Sequence, residues 1–172
     1  PLLVRMDLDP GVRLAVEVRP RAPVAAVWLR FGVGAACEAP GQEGAAHFVE
    51  HMLFKGSRRF GVGDVSRRMD RLGADLNAYT THEETVLHCV VPPPFLEEVI
   101  GILADMVFDS RFDPGEIERE RAVILDEIAQ SRDDPARVLA EGLAARGRGG
   151  LPPGGLPTVV YTAENHNHAA EL

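Results

Sequence analysis

The chain has 172 residues, of which 45% are hydrophobic and 26% charged. That is a globular composition, long enough to bury one core. Its net charge of −8 argues against a nucleic acid or an anionic membrane as partner, since both select basic surfaces.

In chain order, Leu3 to Leu8 and Val12 to Arg19 read as two strands joined at Asp9-Pro10-Gly11, a turn sequence. Val24 to Val33 is a longer apolar strand, loosened at its end by Gly32 and Gly34. Gly41 to Gly44 opens a helix that runs to about Lys55 and stops at Gly56, and Asp64 caps a shorter helix that ends at Gly73. Residues 75–81 and 85–91 form a second strand pair around the polar turn His82-Glu83-Glu84. Pro92 to Pro94 end that strand and start a helix in which Phe95, Val99, Ile102, Leu103, Met106 and Val107 face the core. Pro114, after Asp113, takes the first position of a helix reaching about Ser131, and another helix runs from Pro135 to about Ala145.

Strands followed by helices imply an α+β domain, a largely antiparallel sheet with helices packed on one side. That domain is expected over 1–146. Eight of the eleven residues from Gly147 to Pro157 are Gly or Pro, so 147–172 reads as a loop or disordered tail. No apolar run approaches the roughly 20 residues that cross a bilayer. Cys37 and Cys89 are too few for a disulfide framework and are expected as buried free thiols in strand-like stretches. Seventeen of the eighteen Lys and Arg residues are arginine, Lys55 being the single lysine; a GC-rich coding bias explains that as well as any physical demand does, so no function is drawn from it.

His47 and His51 are four residues apart on an expected helix, so their imidazoles share one face and can share a metal ion. Glu50 lies one turn from His47, placed to reach a water on the metal rather than the metal. The order H-x-x-E-H is that of the inverted zincins. From this chain's own His and Glu content a motif of this form arises by chance with odds of about 0.02. The competing reading is two exposed histidines on an amphipathic helix. A catalytic zinc usually takes three protein ligands, and the helix from Pro114 offers Glu116, Glu118, Glu120 and Glu127. Glu120 and Glu127, two turns apart, share a stripe flanked by Ile117, Ile124 and Ile128, and inward carboxylates are costly unless neutralised. Glu116 and Glu118 lie off that stripe and are expected in solvent. His82, in a turn, and His88, in a strand, are read as structural, and His166 and His168 as incidental. Phe48 and Phe54 are read as core packing.

The run His47-Phe48-Val49-Glu50-His51-Met52-Leu53-Phe54-Lys55-Gly56 resembles the signature of the pitrilysin-type metallopeptidases. That family includes the mitochondrial processing peptidase, insulin-degrading enzymes and bacterial processing-protease homologues. Gly73-Ala74-Asp75-Leu76-Asn77-Ala78-Tyr79-Thr80 and Glu118-Arg119-Glu120-Arg121-Ala122-Val123-Ile124-Leu125-Asp126-Glu127-Ile128 are similar to two further blocks, in the same order. The resemblance implies the N-terminal part of that fold. It implies Zn2+ held by His47, His51 and Glu127, with Glu50 as general base and Glu120 as a supporting carboxylate of the catalytic set. Asn77 and Ala78 would form the strand edge that pairs with a peptide substrate.

Such a site hydrolyses extended peptides or unfolded protein: zinc activates water and polarises the scissile carbonyl, and Glu50 takes the proton. Family members usually have two homologous halves around a chamber, the second supplying an Arg and a Tyr. A second half or partner subunit is therefore expected, and nothing after residue 146 resembles one. The alternative is a non-catalytic or truncated relative acting as an assembly subunit. The expected location is the bacterial cytoplasm, with the periplasm or secretion left open because the chain begins at Pro1 without Met.

Overall fold

The computed structural model describes residues 2–9 and 11–132. β1 (Leu2–Asp9) and β2 (Val12–Val18) form an antiparallel hairpin, Leu2 opposite Val18 and Met6 opposite Leu14, and Gly11 turns at φ +88°. The hairpin is a sheet by itself, and every residue of β2 is exposed. The second sheet has the order β3-β5-β4, all antiparallel, from β3 (Ala25–Phe31), β4 (Asp75–Thr80) and β5 (Thr85–Val91). The expected antiparallel α+β class is thus found, with the strands divided between two sheets.

β5 is central, so Thr85, Val86, Leu87, Cys89 and Val91 are all buried. Against it pack the apolar face of α3 (Leu96–Phe108), with Val99, Ile102, Leu103 and Met106 at 2% exposure or less, and α2 (Asp64–Leu72) through Val65, Met69 and Leu72. Those spacings keep one helix face inward. α1 (Ala45–Leu53) adds Met52 and Leu53 to the buried interior. α4 (Pro114–Arg132) starts as its sequence directs: Asp113 Oδ1 accepts the Gly115 and Glu116 amides, with Pro114 next to it.

Several expectations change. Gly63, not Asp64, holds the N-cap position of α2, and the Asp64 carboxylate accepts the Gly61 amide at 2.7 Å. Phe95 closes a 3-10 turn, Pro93–Phe95, and is 39% exposed rather than core. Cys89 is buried, but Cys37 is exposed, because Gly32–Gly34 end the strand and Cys37 lies in a 3-10 turn, Ala35–Cys37. Of the three isoleucines on α4, Ile124 is buried, Ile117 half-buried and Ile128 exposed. With 19 residues against the 9 of α1, α4 extends past the helix it packs on. The helix expected from Pro135, the domain boundary at 146, the tail and His166 and His168 lie outside the described residues.

Gly34 makes one approach that no other residue allows. A Cβ there would lie 2.4 Å from the Thr81 carbonyl oxygen. The close fit lets the Ala35 and Ala36 amides bond the Thr81 and His82 carbonyls, docking the 3-10 turn onto the β4–β5 turn.

Candidate metal centre

α1 begins at Gly44 with no side-chain cap of its own. Glu38, held by the turn docked through Gly34, supplies the missing acceptor: its two carboxylate oxygens take the Gly44 amide at 2.8 Å and the Ala46 amide at 2.9 Å. At the other end Gly56, at φ +114°, turns the chain away after Lys55. The following loop is tied to α3 by buried Asp105, which accepts from Ser57 and from Arg59 Nε at 2.9 Å. Burial alone would raise the Asp105 carboxyl, but these hydrogen bonds and the Arg59 charge hold it below the usual carboxylate range.

On the helix so fixed, His47 and His51 stand edge to face, their Nε2 atoms 3.0 Å apart. α4 brings the two carboxylates predicted on one stripe to opposite sides of His51. Glu120 Oε1 accepts from His51 Nδ1 at 2.8 Å, and Glu127 Oε2 lies 3.8 Å from His51 Nε2. Their environments differ: the Glu120 side chain is 5% exposed and that of Glu127 46%. An inward Glu127 was expected, and it stands instead at the rim.

The donor set suits zinc. His47, His51 and Glu127 each offer a ligand atom, and these atoms lie within 4.8 Å of one another. Two imidazole nitrogens bound to one tetrahedral ion at about 2.1 Å would stand about 3.4 Å apart, close to the separation seen. A carboxylate accepts only, so Glu120 selects the His51 tautomer that donates from Nδ1 and turns the Nε2 lone pair toward His47 and Glu127. Burial alone would raise the Glu120 carboxyl, but Lys55 and His51, by hydrogen bonds and charge, hold it below the usual range.

Glu50, 7% exposed, accepts from Thr80 Oγ1 at 2.5 Å. Burial pushes its carboxyl above the usual range; Thr80 and His51 pull the other way without cancelling it, and nearby Glu127 adds to the rise. Asn77 and Ala78 lie on β4, three and two strand positions before Thr80, with β5 on one side only among the described residues. The Ala78 amide bonds Asn77 Oδ1 at 2.8 Å, so it points away from the β5 ladder.

The other sequence candidates fall elsewhere. His88 stacks on Trp28 with ring centroids 4.7 Å apart, and His82 is exposed in the β4–β5 turn. Phe54 packs against the core and Phe48 is half-buried. Glu118 is exposed as expected; the Glu116 side chain, against Arg119, is only 13% exposed. An apolar cavity of about 440 Å³ beside α1, lined by Phe31, Val33, Val49, Leu53 and Phe112 among others, includes none of His47, Glu50, His51, Glu120 and Glu127. Three site-supporting residues escaped the sequence reading: Glu38, Thr80 and Lys55. Thr80 carried a signal, since strand alternation puts it on the face of Ala78.

Among the described residues no helix is long and apolar enough to cross a membrane. A family model described as Insulinase (Peptidase family M16) matches residues 13–152. An uncharacterized zinc protease of Mycobacterium bovis is 37% identical over 150 residues, 87% of this chain and 34% of that protein. A probable mitochondrial-processing peptidase subunit beta of Arabidopsis thaliana is 34% identical over 138 residues, 80% of this chain and 26% of that protein. The chain thus spans about a third or less of the length of these curated relatives. Among solved structures, the periplasmic protease PqqL of Escherichia coli superposes with a TM-score of 0.75 at 27% identity, over 83% of this chain and 16% of that one. The antiparallel architecture, the three ordered sequence blocks and the match across residues 13–152 agree: the chain belongs to the insulinase (M16) peptidase family and corresponds to its N-terminal portion.

Proposed function

We propose that this chain is the catalytic N-terminal portion of a zinc-dependent endopeptidase that hydrolyses extended peptides or unfolded protein. The observation that carries this reading is the convergence of the His47, His51 and Glu127 ligand atoms within 4.8 Å, with Glu50 buried on the same helix. His47, His51 and Glu127 would hold the ion and leave a fourth position open. Zinc bound there supplies Lewis acidity, which activates water at neutral pH and polarises the scissile carbonyl.

The protein's own groups do the rest. Glu50, with a raised pKa and one oxygen held by Thr80, is the general base, and once protonated it can pass the proton to the leaving amine. Glu120 orients His51. The open edge of β4 at Asn77 and Ala78 takes the substrate as an added strand, whose main chain pairs without regard to sequence. For the Ala78 amide to join that pairing, Asn77 Oδ1 must release it. A second homologous half or a partner subunit completes the chamber. The compartment is the bacterial cytoplasm or, as for the E. coli protease, the periplasm.

The test is metal analysis and peptide cleavage with the full-length protein. About one zinc per site, lost in His51→Ala, and a Glu50→Gln variant that keeps zinc but no longer cleaves are the expected results. Zinc below about 0.2 per site and unchanged by His51→Ala would sink the metal claim, and cleavage by Glu50→Gln would remove Glu50 as the base.

A further inference from the structure

Lys55 is the single lysine in a chain that uses arginine at the other seventeen Lys and Arg positions. It lies just past α1, where Gly56 turns the chain away. Its Nζ reaches Glu120 Oε2 at 2.5 Å, while the other oxygen of the same carboxylate, Oε1, accepts from His51 Nδ1 at 2.8 Å. The Glu120 side chain is 5% exposed and that of Lys55 28%. One buried carboxylate is therefore divided between two donors, one oxygen each.

From this geometry we infer that Lys55 is a positioning residue for the metal centre, resting on the function proposed above. It supplies the positive charge that a carboxylate at this depth requires. It also takes a single oxygen, leaving Oε1 to hold His51 in the Nδ1–H tautomer with Nε2 presented to the metal. Arginine is the poorer fit. Its planar guanidinium favours two parallel N–H bonds to a carboxylate, and wherever it takes both oxygens it competes with His51 for Oε1. An ammonium is a point charge and makes no such claim. The physical demand at this position is charge with one contact to a buried carboxylate.

The experiment is a zinc competition titration of the full-length protein, carried out on Lys55→Met, Lys55→Arg, Glu120→Gln and the Lys55→Met/Glu120→Gln double variant. Losing an outer-shell partner typically weakens metal binding by about 10–100-fold, and that loss is expected for Lys55→Met and Glu120→Gln. Lys55→Arg keeps the charge and is expected to recover less than about a third of the loss on a logarithmic scale. Because Lys55 acts through Glu120, the double variant is expected to bind zinc no more weakly than the weaker single variant. A lysine that served only the stability of the fold would show no such coupling in zinc affinity. Full recovery by Lys55→Arg would overturn the one-oxygen argument, and losses that multiply in the double variant would overturn action through Glu120. If the parent binds zinc and His51→Ala does not, but Lys55→Met matches the parent, this inference alone fails. A parent that binds no zinc removes the proposed function and this inference together.

Discussion

α1 and α4 both carry candidate ligands, yet they are held in opposite ways. α1 is short and anchored on every side: Glu38 caps its start, Met52 and Leu53 are in the interior, and the loop after it is pinned by Asp105. α4 is twice as long, and the only buried side chains among its described residues are Ile124 and the carboxylate Glu120. His47 and His51 are therefore placed by packing, whereas Glu127 is placed by a helix whose own attachment includes a charge. The two candidate ligands that would need a fixed mutual geometry sit on the more firmly anchored element, and the third candidate sits on the one with fewer buried side chains among its described residues.

Four measurements can break or sharpen that contrast. Met52→Ala removes a side chain 1% exposed on α1 and should cost about 2–5 kcal/mol in urea unfolding; a loss under about 1 kcal/mol would mean α1 is not anchored by its apolar face. Next comes acid. The folded pKa of Asp105 is depressed, so its contribution is fully present above the ordinary carboxylate value of about 3.9 and is lost as pH falls through the lower folded value. The parent should be more stable than Asp105→Asn at pH 6, and the gap should close below about pH 4; a constant gap would count against the charged anchor. Glu38→Ala removes the acceptor at the start of α1 and should cost about 1 kcal/mol, the usual worth of a cap. The smallest change is Leu125→Ala on α4, 59% exposed, expected within about 0.5 kcal/mol of the parent. A large effect there would show that α4 is buried against something beyond the described residues.

Much of the framework is readable from punctuation. Gly56, Gly73, Pro93 and Pro114 mark element ends because each permits or demands a particular backbone, and the helices and strands begin or stop within a few residues of them. Helical spacing brings the two histidines onto one face and Glu120 and Glu127 onto one stripe, but it does not tell that Glu127 stands at the rim while Glu120 is buried. Periodicity says nothing about partners distant in sequence. Glu38 reaching the amide of Gly44, Lys55 reaching Glu120 and Thr80 reaching Glu50 each depend on how separate elements dock. The same limit explains Cys37 and Ile128. Cys37 lies in an apolar stretch of the sequence and Ile128 flanks an expected inward stripe, but whether a neighbour covers them is decided by the tertiary arrangement. The separate β1–β2 hairpin was equally hidden, since alternation identifies a strand without saying which sheet it joins.

The thin attachment of α4 has a consequence for the order in which the molecule comes apart. Among the described residues, opening this helix exposes buried Ile124 and half-buried Ile117 and returns the Glu120 carboxylate to water, whereas opening β5 exposes the centre of the interior. Local openings that expose little surface cost least and occur most often. α4 is then the more weakly held wall of the candidate site and the sheet its foundation. An ion shared between α1 and α4 would act as a latch, lowering the fraction of time the wall stands open by the factor that ligand binding adds to the closed state.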